Sequence, residues 1–135
     1  QSQKNDFVVS MKSLLLKLSS MDEKLFETAN LIKESNRDLK VLATDIENKL
    51  SSLQELKNDL YSLPIPEQAN DSFLALEKAL KSYDKYINYF YKGLLDEIEN
   101  KKTPEDYYDK SSTLFDEFTY SLEAAEKSLD NYNKN

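Results

Sequence analysis

The chain has 135 residues, a net charge of −7 and a composition that is 39% hydrophobic and 32% charged, with one glycine and three prolines. This length fits one domain, residues 1–135, and so little turn-forming material indicates an acidic all-α protein made of few, long helices. A single arginine, Arg37, and the lack of a long basic run exclude nucleic acid as an expected partner and disfavour an anionic membrane surface.

The first half of the chain keeps one heptad register. Apolar residues recur from Phe7 to Leu63 in alternating steps of four and three residues, which is typical of coiled-coil-like helices that bury one face. The positions labelled a are all apolar: Met11, Leu18, Leu25, Ile32, Leu39, Ile46, Leu53 and Leu60. The positions labelled d are polar at Thr28, Ser35 and Lys49.

The register does not decide between one helix and two. A break is favoured near residues 34–37, where two successive d positions are polar and Ser35 with Asp38 resembles a capping pair. An unbroken helix of about 57 residues would extend roughly 85 Å and leave half of its apolar stripe uncovered unless another chain covered it. We therefore predict helices at about 4–34 and 36–62, with one long, bent helix as the alternative.

Prolines mark the later boundaries. Pro64 and Pro66 end the second helix, and Pro66 with Glu67 suits the first turn of a third helix at about 66–100. Thr103 and Pro104 supply an N-cap and a first helical residue for a last helix at about 104–132, followed by a polar tail that we expect to fray. The sequence thus predicts an antiparallel up-down bundle of four helices, with three helices as the alternative.

No catalytic residue, cofactor or metal site is predicted. Without histidine or cysteine, the common general bases, thiol nucleophiles and zinc ligands are all missing. Acidic pairs such as Asp22-Glu23 lack the spacing of a calcium loop, and solvated helix faces explain them. We therefore expect a protein that is not an enzyme.

A tyrosine-rich stretch, Ser82 to Gly93, raises the question of a contact surface. At about 100° per residue, Tyr83 belongs to the apolar stripe of its helix, whereas Tyr86 and Tyr91 fall at its two edges and Tyr89 points away from the core. Because tyrosine is enriched at interface hot spots, the predicted partner contacts are Tyr86, Tyr89 and Tyr91. The lone Gly93 permits a close helix approach or a bend, or it is only a tolerated glycine within the helix.

The sequence Leu63-Pro64-Ile65-Pro66-Glu67, the tyrosine-rich helix after it and the small residues from Ser121 to Ser128 resemble helical extracytoplasmic domains of low-GC Gram-positive bacteria. Many of those domains are lipoproteins. The resemblance implies a cell-envelope location and a non-enzymatic role, and it leaves open a lipid anchor upstream of Gln1; a cytoplasmic location is the alternative. No stretch of the chain approaches the ~20 apolar residues of a transmembrane helix.

Three functions remain open at this point. The first is an interaction module that binds a protein partner or itself. The second is an oligomeric coiled coil formed through residues 7–35, where Phe7, Met11 and Leu14 begin a wide apolar face. The third is a carrier of an apolar ligand in a cavity lined by the tyrosine and phenylalanine residues of the last two helices.

Overall fold

The computed structural model describes residues 2–35, 39–102 and 104–135, and it confirms the predicted all-α helical bundle. Its four helices are α1 (Ser2–Ser35), α2 (Leu39–Tyr61), α3 (Asn70–Ile98) and α4 (Pro104–Lys134). No strand occurs within the described ranges. The first half of the chain therefore forms two helices rather than one, while the predicted capping residue Asp38 and the predicted N-cap Thr103 lie outside the described residues.

Contacts between helix ends show that sequential helices run antiparallel. The Tyr61 hydroxyl at the end of α2 donates a hydrogen bond of 2.7 Å to Glu77 near the start of α3. At the opposite end of α3, Glu97 accepts a hydrogen bond of 2.8 Å from Tyr108, in the second turn of α4. Helix α1 packs on α2 and α4, and α3 also packs on α2 and α4, which closes the bundle. This arrangement is the predicted up-down topology.

The apolar stripes of the four helices form the core. The largest fully buried side chains come from all four helices: Met11, Leu18, Leu25, Ile46, Leu53, Leu60, Leu76, Leu80, Tyr83, Ile87, Leu94 and Phe118. The polar d position Lys49 is also buried, and its ammonium lies 2.7 Å from the Asp45 carboxylate one turn earlier. Burying each large apolar side chain contributes roughly 1.5–3 kcal/mol, so the alternating pattern explains why these segments assemble.

Helices α3 and α4 make the closest packing of the bundle, because small residues lie along both. The buried small residues are Ser72, Ala79, Ser82 and Gly93 on α3, and Ser111, Ser121 and Ala125 on α4. Two serines also bond across this contact: Ser72 donates to the carbonyl of Ser128 at 3.1 Å, and Ser111 donates to the carbonyl of Tyr86 at 3.1 Å. The hydroxyls are therefore satisfied although they are buried.

Helix α3 begins later than the sequence predicts. It starts at Asn70 rather than Pro66, because Gln68 has a φ of 68°, a left-handed conformation that a right-handed helix does not accommodate. The residues from Pro66 to Ala69 instead form a turn in which the Ala69 amide donates to the Pro66 carbonyl at 3.2 Å. Ala69 is fully buried, so this turn closes the end of the core.

Helix α3 ends at Ile98, slightly before the predicted residue 100. Asn100 adopts a φ of 57° and its amide donates to the Glu97 carbonyl, while the Lys101 amide donates to the Asp96 carbonyl at 2.8 Å. These two hydrogen bonds form a Schellman motif, with asparagine in the left-handed position. Helix α4 instead continues beyond residue 132 to Lys134, because the Tyr132 ring packs edge-on against Phe7 at 5.8 Å and ties down its last turn.

Candidate functional site

The three predicted contact tyrosines lie on two different sides of α3. Tyr86 is half-buried towards α4, where its ring centre lies 5.1 Å from that of Phe115. Tyr91 faces α2, and its hydroxyl donates a hydrogen bond of 2.6 Å to the Glu47 carboxylate. That acceptor and a small loss of hydration raise the Tyr91 pKa. The structure therefore does not bring Tyr86, Tyr89 and Tyr91 together into one surface.

Tyr89 lies outside the core, but α4 partly covers it. Its ring centre is 6.2 Å from that of Tyr107, and the ammonium groups of Lys92 and Lys110 lie 4.7 Å and 5.4 Å from it. Lysines over an aromatic face make cation–π contacts. The angular positions of residues around α3 could not predict that Tyr89 is partly covered, because Tyr107 and Lys110 belong to the next helix. Its role as a partner contact stays a prediction.

The centre of the bundle holds a tyrosine hydroxyl without a partner. The Tyr83 side chain is fully buried against Phe118, at 4.7 Å between ring centres, and its hydroxyl makes no hydrogen bond. Burial and the nearby Asp22 carboxylate raise the pKa values of both Tyr83 and Tyr86. Burial in turn raises the pKa of Asp22 to about 6, with a smaller contribution from Glu23. Leaving the Tyr83 hydroxyl buried without a hydrogen-bond partner costs stability.

An exposed apolar strip on α1 was missed by the sequence analysis. Val9 and Leu16 are each 68% exposed although they are large and apolar. They lie two turns apart on the outer face of α1, with the exposed residues Lys12 and Ser13 between them. We call Val9, Lys12, Ser13, Leu16 and the adjacent exposed Lys17 the α1 strip. A signal was present in the sequence, because both apolar residues lie outside the a and d positions.

The charge around the α1 strip differs from that of the whole protein. No acidic residue occurs between Asp6 and Asp22, and this stretch contains Lys12 and Lys17 in a chain of net charge −7. Grooves of about 470 Å³ and about 410 Å³ run beside the strip, between α1 and α2, and Lys17 lines both. On the α2 side, Asp59 lines the first groove and Asp45, paired with Lys49, lines the second. The strip itself is therefore a basic and apolar surface.

Helix α4 carries an outer surface of opposite charge. Tyr120 is 74% exposed, and the positions one turn before and after it on the same face carry Asp116, Glu117 and Glu123, all exposed. The stretch between Lys110 and Lys127 contains no basic residue. We call Asp116, Glu117, Tyr120 and Glu123 the α4 strip. It too combines an exposed apolar centre with charges of a single sign.

Among residues 2–35, 39–102 and 104–135, no three or more carboxylates gather into a group that could hold a metal ion. In the same ranges, no helix combines the length and the hydropathy needed to cross a membrane.

Comparison with known proteins yielded no assignment: no protein-family model, curated protein or solved structure matches the chain.

Proposed function

We propose that this protein is a non-enzymatic interaction module whose four-helix bundle presents the α1 strip to an acidic, amphipathic helix of a protein partner. The observation that carries the proposal is the 68% exposure of both Val9 and Leu16 on one face of α1. Core packing does not require these two side chains, since the heptad residues of α1 already fill the core. Burying each of them under a partner would contribute up to roughly 1.5–3 kcal/mol.

The geometry of the strip favours a helical partner. Val9 and Leu16 are separated by roughly 10 Å along α1, which matches the two-turn spacing of apolar residues on an amphipathic helix. The grooves beside them can receive the partner's flanking side chains. A docked helix would then pack on α1 in the way that α1 packs on its own neighbours.

Charge favours an acidic partner. On α1 itself, Lys12 and Lys17 lie within a stretch without acidic residues, so carboxylates on that side of the partner's apolar face would meet positive charges. Across the grooves, α2 contributes Asp59 and Asp45, of which Asp45 is paired with Lys49. Opposite charges at the rim of an interface mainly increase the association rate and the discrimination against wrong partners. We therefore expect binding to weaken as the ionic strength rises.

The proposed setting is the cell envelope, and it is supported by the resemblance to extracytoplasmic bacterial domains alone. In protoplasts of cells that make the protein, added protease should degrade it before the membrane is lysed. Protection until lysis would instead place it in the cytoplasm.

The binding proposal is tested with two stapled helical peptides that share one apolar face. One peptide has glutamates beside that face and the other has lysines. Titrations followed by NMR of the side-chain methyl groups should show the acidic peptide shifting the signals of Val9 and Leu16, with at least about tenfold weaker binding of the lysine peptide.

Matched variants distinguish specific binding at the α1 strip from non-specific binding to exposed apolar side chains. The double variant Val9→Ser, Leu16→Ser should keep the fold but no longer bind the acidic peptide. The control Leu74→Ser changes an exposed apolar residue of α3 and should bind the peptide as the wild type does. In the same titration, Tyr89→Ser tests whether Tyr89, which the sequence predicts as a partner contact, takes part in binding the acidic peptide. Equal binding of both peptides, binding that survives the double variant, or α1 shifts seen only with anionic lipid vesicles would each overturn the proposal.

A further inference from the structure

The α4 strip has the chemistry that the proposed partner of the α1 strip needs. Tyr120 supplies an apolar centre that is 74% exposed, and Asp116, Glu117 and Glu123 surround it on one helix face. It is part of a 31-residue helix that is already folded, so docking would cost no folding of the partner segment. An acidic, preformed helix face with one exposed aromatic ring therefore exists on this chain itself.

We propose that the occupant of the α1 strip is the α4 strip of a second copy of this chain. In the contact, Tyr120 of one copy packs between Val9 and Leu16 of the other, and Asp116 and Glu117 face Lys12 and Lys17. This inference rests on the proposed function, because it names the partner helix of the same surface.

The charges select a contact between unlike faces. Two α1 strips placed together would oppose Lys12 and Lys17 to their own copies, and two α4 strips would oppose clustered carboxylates. Only the pairing of α1 with α4 brings opposite charges together around an apolar centre. After one such contact, one copy keeps a free α4 strip and the other a free α1 strip, so the assembly extends beyond a dimer unless it closes into a ring.

Charge reversal with rescue tests the inference. In sedimentation velocity at low salt, the wild type should show a weight-average mass that rises with protein concentration. Reversal of the α1 strip (Lys12→Glu, Lys17→Glu) or of the α4 strip (Asp116→Lys, Glu117→Lys) should each weaken association at least about tenfold. An equimolar mixture of the two reversed proteins should restore it, because each then offers a strip that complements the other.

Rescue separates a specific contact from a loss of folding or a change in net charge, since two damaged proteins would not restore each other. The control Lys78→Glu, Lys85→Glu reverses two exposed lysines of α3 with the same change in net charge as the α1 reversal and should associate as the wild type does. Circular dichroism checks the fold of every variant.

The results also distinguish this inference from the proposed function. A wild type that stays monomeric at the highest concentration while the acidic peptide still binds the α1 strip would overturn self-association and leave the interaction module standing. If the acidic peptide does not bind the α1 strip either, both the self-association and the interaction module are overturned. Association that survives either reversal, or a mixture that does not restore it, would also overturn the α1–α4 contact.

Discussion

The ring of Tyr108 lies directly on the backbone of Gly93, where a Cβ atom would come within 2.5 Å of the ring carbon Cε1. The same ring packs edge-on against Phe90 at 5.7 Å, and its hydroxyl donates to Glu97. The only glycine of the chain thus lets α4 seat an aromatic ring on α3. Of the three expectations for Gly93, the close approach is the one observed.

Replacing this glycine should destabilise the protein despite the higher helix propensity of alanine. For Gly93→Ala we expect a net loss of about 1 kcal/mol in the free energy of unfolding, since overpacking costs roughly 1–3 kcal/mol while alanine recovers about 1 kcal/mol. Urea denaturation measures the change. In a Tyr108→Ala background the same substitution should stabilise by about 1 kcal/mol, and a loss there would disprove the steric explanation.

The buried Tyr83 hydroxyl predicts a stabilising substitution. Because this hydroxyl has no hydrogen-bond partner, Tyr83→Phe should raise the free energy of unfolding by about 1 kcal/mol. The matched variant Tyr91→Phe removes a hydroxyl that is bonded to Glu47, and it should be neutral or slightly destabilising. Thermal melts of the two variants should therefore shift in different directions. A lower melting temperature for Tyr83→Phe would show that the hydroxyl does have a partner.

The raised pKa of Asp22 predicts that the free energy of unfolding falls as the pH rises. Its folded-state pKa of about 6 lies above the ordinary aspartate value of 3.8, so the folded protein holds the proton more tightly than the unfolded chain does. The stabilisation from this group is complete below the unfolded pKa and is lost as the pH increases through about 6. The groups that face it, Glu23, Tyr83 and Tyr86, supply no positive charge to offset its ionisation.

Asp22→Asn should therefore be more stable than the wild type at pH 7 by about 1 kcal/mol, a value reduced for the partial exposure of the side chain. The difference should vanish near pH 4. Urea denaturation at the two pH values measures it. The control Asp116→Asn changes an exposed carboxylate and should show no such dependence on pH. A constant difference for Asp22→Asn would mean that its ionisation does not oppose folding.

Neighbouring leucines of α1 should respond very differently to truncation. Leu18 is fully buried whereas Leu16 is 68% exposed. Leu18→Ala should cost about 2–5 kcal/mol, because it leaves a cavity in the core, and Leu16→Ala should change stability by less than about 0.5 kcal/mol. Chemical denaturation of both variants tests the register of α1. Comparable losses would mean that the outer face of α1 is covered in solution, as self-association at the concentration used would cause.

The periodicity of apolar residues and the positions of the prolines predicted most of the fold. The heptad register put Leu18 and Leu53 in the core, the angular position of Tyr83 on its helix put it there too, and the structure buries all three. The fourth helix begins at Pro104, where the sequence placed its start. The start of α3 was wrong by four residues, from 66 to 70, because the left-handed conformation of Gln68 has no glycine or asparagine to signal it.

The candidate site depended more strongly on the tertiary arrangement. The outward direction of Tyr89 on α3 could be predicted from its position in the sequence. Its contacts with Tyr107 and Lys110 could not, because they depend on how α3 and α4 are placed relative to each other. Val9 and Leu16 could have been marked as apolar residues outside the heptad stripe. Whether such residues are buried depends on which flanks of α1 the neighbouring helices occupy.

By itself, then, the sequence determined an all-α bundle and its buried faces, because burial of an apolar face follows from spacing within one helix. Only the tertiary structure decided which helices approach most closely, with Gly93 and the buried serines placing α4 tightly on α3. It also decided which side chains outside the heptad stripe stay in contact with water, since that depends on how neighbouring helices pack. This is why Val9, Leu16 and Tyr120, rather than the tyrosines of α3, are the exposed centres of the strips we propose as contacts.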